Sequence, residues 1–351
     1  MKKIISLFLV INTFISCAQK TKDQSKIEKE KYMIPIPEKS KDITKDNFTE
    51  RVLSEVKHYD KEPVYFIRPI QNNCVYELLI NDYPIYKDYG IEKLATPINI
   101  NRAILQSGPQ TVTVRLYPLG DALKDAYGEG ETITTLLPKT EMKIKVVKYE
   151  AFNISDELED EIVVKEHTSP TKNDSSEFEG AGLPYYEYTF TFNAEVPYKN
   201  KGWLNGEDLA KFDKKELEKQ VLKCYKNYLS VYKNKDLNNL LKLLYESEIR
   251  RRKSQYQNKQ KINRVLSELE ESLNYENKEF QPIENYETQF YGNGRIIALK
   301  HSSKKPVDFR LRGESAFWFT YEDGDDIMAY FPGVYLYLPK GQPLDSLQMI
   351  P

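Results

Sequence analysis

The chain has 351 residues, 40% apolar and 12% aromatic, which is enough to build real cores and excludes disorder throughout. A formal charge of −2, from 51 Lys and Arg against 53 Asp and Glu, gives no global basic field and argues against nucleic-acid partners. The N-terminus comes first in the reading because it sets the address. Lys2 and Lys3 form a short cationic stretch, Ile4 to Ile11 is mostly apolar, and Phe14-Ile15-Ser16-Cys17 puts a small serine directly before a cysteine. A membrane span needs about 20 apolar residues, and this run is shorter and interrupted by Asn12.

That ending resembles the lipobox of bacterial lipoproteins. The resemblance implies diacylation of the Cys17 thiol, cleavage after Ser16, and a lipid on the new N-terminus; an ordinary signal peptide is the alternative. Removing residues 1–16 takes Lys2 and Lys3 with it, so the mature charge becomes −4 over 335 residues. Each buried methylene contributes about 0.8 kcal/mol, so several acyl chains hold a protein on a bilayer without a spanning helix. By resemblance to the sorting rule of Gram-negative lipoproteins, Ala18 rather than Asp after the cysteine implies the outer membrane. The expected localisation is therefore the cell envelope, with palmitate-type lipidation at Cys17.

Residues 17–60 read as a charged tether carrying a short helix, in which Phe48, Val52 and Val56 recur at helical spacing after Thr44 or Asp46 as cap. From 61 to 200 the period becomes that of strands. Val64-Tyr65-Phe66-Ile67, Val75 to Ile80, Thr111 to Tyr117, Met142 to Val147 and Tyr185 to Phe192 are rich in β-branched and aromatic residues. Turn chemistry at Asn81-Asp82 and Ser107-Gly108-Pro109 separates them. Five strands without helices between them predict an antiparallel β-sandwich. The stretches Leu79 to Tyr86 and Ile104 to Gln110 look like immunoglobulin-type sandwich domains of envelope lipoproteins. The polar stretch 169–184 reads as a disordered loop, with a binding loop as the alternative.

Residues 201–351 are expected to form a second domain, helices on a sheet. Asp213 and Glu216 open a helix whose Leu217, Val221, Tyr225, Tyr228 and Tyr232 form one stripe. Asp236 caps a second, with Leu240, Leu241 and Leu244, and Ile262, Val265 and Leu269 mark a third. Strands follow at 286–290, 295–300, 316–321, 327–331 and 334–338, joined by Gly292-Asn293-Gly294 and Asp323-Gly324-Asp325. Leu241 and its neighbours are expected to bury against the Phe317, Phe319, Tyr321 strand. The element order is similar to cone-shaped folds of the nuclear-transport-factor type, which implies a pocket between helices and sheet. The whole chain is thus α+β.

Chemical motifs are sparse. His58, His167 and His301 are isolated, which predicts no metal site. Glu322-Asp323-Gly324-Asp325-Asp326 clusters carboxylates but lacks the ligand spacing of a calcium loop and reads as a hairpin turn. Arg250-Arg251-Arg252-Lys253 either complements a helix C-terminus or meets an anionic partner. No serine-hydrolase elbow, phosphate-binding loop or dinucleotide fingerprint is present, so no catalytic residue and no cofactor is predicted. Cys74 and Cys224 are expected to stay unpaired. Two classes of function remain: a non-enzymatic module for a protein partner in the envelope, or a small-ligand binder or enzyme using the C-terminal cone. A deep pocket with buried ionisable groups would favour the second.

Overall fold

The computed structural model describes residues 36–92, 96–150, 161–173, 175–303 and 311–350. Helix α1 (Lys45–Leu53) begins where Asn47 accepts a hydrogen bond from the Thr44 amide at 2.9 Å, closing the first turn. Eight strands follow: β1 (Val64–Asn72), β2 (Val75–Ile80), β3 (Tyr83–Asp88), β4 (Ile98–Asn99), β5 (Gly108–Tyr117), β6 (Glu141–Tyr149), β7 (Ile162–Thr168) and β8 (Tyr186–Ala194). The short helix α2 (Ala122–Tyr127) lies between β5 and β6. The strands form two antiparallel sheets, ordered β4-β1-β6-β7 and β3-β2-β5-β8. Their inward residues share one core: Val112, Val114 and Leu116 of β5 and Met142, Ile144 and Val146 of β6 are all essentially inaccessible to solvent. This is the antiparallel β-sandwich the alternation predicts.

The five expected strands all form, and β3, β4 and β7 are additional. Asn81 and Asp82 both adopt positive φ, at 52° and 60°, and make the two-residue turn that folds β3 back on β2. Pro84 inside β3 is tolerated because β3 is an edge strand. The described residues of 169–184, all but Asp174, depart from the expected disorder. Phe178 is buried and packs edge-on against Tyr186, with centroids 5.1 Å apart. Its amide donates to Pro138 O at 2.9 Å, and the Gly182 amide donates to Leu136 O at 2.8 Å. One aromatic anchor with paired backbone groups is enough to order this loop.

The second half supplies helices α3 (Lys214–Lys233), α4 (Leu237–Ser254) and α5 (Lys259–Asn274). Each has a side-chain N-cap: Asp213, Asp236 and Asn258 accept from amides one turn on at 3.0–3.1 Å. The strands are β9 (Glu276–Phe280), β10 (Tyr286–Tyr291), β11 (Ile296–His301), β12 (Phe319–Asp323), β13 (Asp326–Tyr330), β14 (Leu336–Tyr337) and β15 (Gln348–Met349). They divide into two antiparallel sheets, β10-β11-β14-β15 and β13-β12-β9. Both predicted hairpin turns form, after Tyr291 and between Asp323 and Asp326.

The helix faces bury against unexpected partners. Tyr228 and Tyr232 of α3, not Leu241, meet Phe317 and Phe319, with ring centroids within 5.7 Å. The Tyr225 hydroxyl reaches into the sheet, accepting from the Leu299 amide at 2.8 Å and donating to Val334 O at 2.9 Å. Leu241, fully buried, packs instead in a cluster with Ile43, Phe48, Val52 and Ile262. The N-terminal helix thus covers the apolar stripe of α4, because α1, α4 and α5 pack on one another around a shared cluster rather than over the strand. Residues Pro35–Pro351 form one compact unit. The sandwich core continues through Trp203, stacked on Tyr83 at 5.0 Å, into Tyr291, Ile296 and Ala298. No helix among the described residues is long and apolar enough to cross a membrane.

Candidate functional site

The bend that makes β3 also aims it. Tyr83, Ile85 and Lys87 alternate along this edge strand toward β11 and the segment leading into β14, and a cavity of about 390 Å³ opens between them. Its charged lining comes from five separate stretches: Glu77 on β2, Lys87 on β3, Arg102 after β4, Arg251 on α4, and Lys300 and Glu314 at or after the end of β11. Four cations thus face two carboxylates.

The carboxylates are already engaged. Glu314 pairs with Lys87 at the more exposed side of the cavity. Glu77 accepts hydrogen bonds from Tyr89, from Ser303 at 2.6 Å and from Tyr117 at 3.2 Å, with Arg115 at 3.6 Å. Gly313 allows this crowding. Its φ is +63°, and a Cβ there would meet Ser303 Oγ at 3.0 Å and Glu77 Oε1 at 3.3 Å.

Three cations remain under-compensated. Lys300 is the last residue but one of β11, whose six residues are all buried, and its ammonium lies 4.7 Å above the Tyr335 ring. Among the described residues no carboxylate lies within 4 Å of it. Burial pushes its pKa down, against the upward pull of Glu314 and Glu77. Arg102 donates from Nη2 to Ile85 O at 2.9 Å, while its Nε is buried with no partner among the described residues. Burial, and after it the nearby Arg251, push the Arg102 pKa down. Among the described residues Arg251 also has an orphan buried Nε, and the one carboxylate within 4 Å of it, that of Glu248 at 4.0 Å, is held at 2.6 Å by Arg252. The Tyr83 hydroxyl, whose pKa burial pushes up to about 12, has Arg102, Arg251 and Lys300 as electrostatic neighbours.

Retaining unpaired positive charge in a protein interior costs several kcal/mol per ion, and such groups cluster at functional sites. The arrangement suits an anion, with guanidinium, ammonium and phenol donors facing one space. The larger cavity, about 500 Å³ beside Asn81 and Gln110, differs. There the Asn81 amide donates to Ala103 O and Gln110, and the Gln110 amide to Gln106 O and Gly108 O, so those polar groups are spent within the protein.

The residues singled out from the sequence scatter. Cys17 lies outside the described residues. His58 contacts Glu62 at 2.8 Å, His167 stacks on Phe190 at 4.3 Å, and His301 contacts Asn285 O at 3.3 Å. No group of three His, Cys, Asp or Glu residues among the described ones is placed to hold a metal ion. Cys74 and Cys224 are free thiols, pushed up to about 12 and about 11 by burial. The acidic run 322–326 is the β12–β13 hairpin. Of the basic run, Arg252 is buried against Glu248, Arg250 lies 5.1 Å over Tyr337, Lys253 meets Glu55 at 3.0 Å, and Arg251 alone enters the cavity. Sequence reading missed Arg102, Lys300, Tyr83 and Tyr335. Only Lys300 left a signal, a lysine closing the apolar run Ile296-Ile297-Ala298-Leu299.

Fold and cavity together define an α+β protein with a cationic, tyrosine-lined cleft between its sandwich and its C-terminal sheet. No protein-family model, curated protein or solved structure matches the chain.

Proposed function

We propose that this chain is a lipid-anchored protein of the cell envelope that binds a small anionic ligand in the cleft between β3 and β11. One observation carries the ligand reading: Arg102, Arg251 and Lys300 line one cavity with no close carboxylate of their own among the described residues. An anion there would replace the missing counter-charges and occupy the unused donors. The cleft draws residues from both halves of the chain rather than from the C-terminal half alone. The export-type N-terminus and Cys17 support the anchor, and Ala18 supports the outer membrane of a Gram-negative bacterium.

Isothermal titration of the detergent-solubilised full chain with small carboxylates, phosphates and sulfates, against uncharged analogues, tests the ligand reading. Saturable binding of anions but not neutral analogues is expected, weakened in Arg102→Gln. Equal heats from neutral analogues would sink it.

A protein partner is the second reading. It is supported by β13, an edge strand among the described residues, where Ile327 and Met328 are exposed by 78% and 44%.

A further inference from the structure

We propose that the ligand is a phosphomonoester, its dianionic phosphoryl group held by Arg102, Arg251 and Lys300 at the inner end of the cleft. This rests on the anion-site reading and narrows it. The first argument is charge. Lys87 and Glu314 neutralise one another, and Glu77 is turned toward Tyr89, Tyr117, Ser303 and Arg115. Arg115 is itself held by Glu187 at 2.7 Å, so the four cations and two carboxylates of the lining leave two net positive charges, which a dianion matches and a monoanion does not.

The second argument is placement. All three cations line the cavity that Tyr83 also lines, and all three act electrostatically on its phenol. Two carboxylates at opposite ends of a dicarboxylic acid would call for separated cations. A compact tetrahedral dianion, with several acceptor oxygens on one atom, can meet clustered donors at once. Two guanidinium Nε–H groups without partners among the described residues supply such donors, beside the Lys300 ammonium over the Tyr335 ring.

The third argument is the rest of the wall. Pro84, Tyr86 and Phe331 line the cleft beyond the cations and offer flat apolar surface to a ring or sugar carried by the phosphate. At about 390 Å³ the cavity has the volume of roughly a dozen waters, which suits a small metabolite or a lipid headgroup. Both sources present the same phosphomonoester chemistry.

The test titrates the detergent-solubilised full chain with phenyl phosphate, benzoate and succinate, and then competes phenyl phosphate with phosphatidic acid in mixed micelles. Phenyl phosphate should bind roughly tenfold or more tighter than benzoate or succinate. Arg102→Gln and Lys300→Met should each weaken it by a similar factor. Succinate or benzoate binding as tightly as phenyl phosphate would overturn the phosphoryl assignment while leaving an anion site. No binding of any of the three would overturn both readings. Displacement by phosphatidic acid would assign the headgroup source, and its failure a soluble phosphomonoester. Lys300→Met removes a buried charge and should fold at least as well as the parent, so its binding loss cannot come from unfolding. Unchanged phenyl phosphate affinity in that variant overturns the proposal.

Discussion

The Lys300 ammonium sits 4.7 Å above the ring of Tyr335, and among the described residues that ring, not a carboxylate, is its close partner. A cation over an aromatic face gains up to about 2 kcal/mol when desolvated, less than a well-made ion pair returns in the same place. The pairing leaves β11 carrying a charge that the free protein pays for in stability.

Lys300→Met should therefore raise stability, by an amount that depends on pH. Burial lowers the Lys300 pKa below its ordinary 10.5, so between the lowered value and 10.5 the unfolded chain binds more protons than the folded one. Parent stability then rises with pH across that window. The advantage of Lys300→Met should be greatest at neutral pH and shrink toward 10.5. Glu314, Glu77, Tyr83 and Lys87 face the same space and are common to both proteins. Urea unfolding of the pair at both ends of the window checks this, and a gap that widened with pH would contradict the buried-cation account.

Arg252 and Glu248 form a buried pair, with side chains 6% and 8% exposed. Glu248→Ala strands a guanidinium in the interior, for which a loss of about 3–5 kcal/mol is expected. The double replacement Glu248→Ala with Arg252→Met should recover much of it. Chemical denaturation of the three variants measures this directly.

Leu241 is fully buried among α1 side chains, so Leu241→Asp should cost several kcal/mol, a large share of a typical 5–15 kcal/mol stability. Phe48→Ala should act on the same cluster from the other side, at about 3–5 kcal/mol. Their effects should be non-additive because the residues share one cluster. Additive losses in a thermal-melt cycle would show that α1 and α4 are not mutually buried.

Phe178→Ala removes the anchor of the 169–184 loop. Faster limited proteolysis within this stretch is the expected outcome, with the cleavage sites read by mass spectrometry. An unchanged digestion pattern would mean that the paired backbone alone orders it.

Cys17→Ala removes the only thiol in the lipobox-like ending. The variant should run at its uncleaved or unlipidated mass and shift toward the soluble fraction. Unchanged mass and membrane fractionation would remove the lipid anchor from the functional proposal.

Local rules written into the sequence determined the elements. Alternation along Val112, Val114 and Leu116 set β5, capping by Asp213 and Asp236 set α3 and α4, and Asn81-Asp82 and Asp323-Gly324-Asp325 set the turns. Such signals depend on neighbours a few residues away, which is why five of the sandwich strands and all three long helices were legible. β7 was not, because most of its positions are exposed and carry no alternation. The partner of each apolar face was decided only by tertiary packing: nothing local to Leu241 says that a helix nearly two hundred residues earlier will cover it. The cleft is the same case carried further. Arg102, Arg251 and Lys300 are each ordinary charged residues in their own segments, and only the joining of five stretches around one space makes them a cluster of unpaired cations. Electrostatic compensation depends on through-space distance, a quantity the order of residues does not contain.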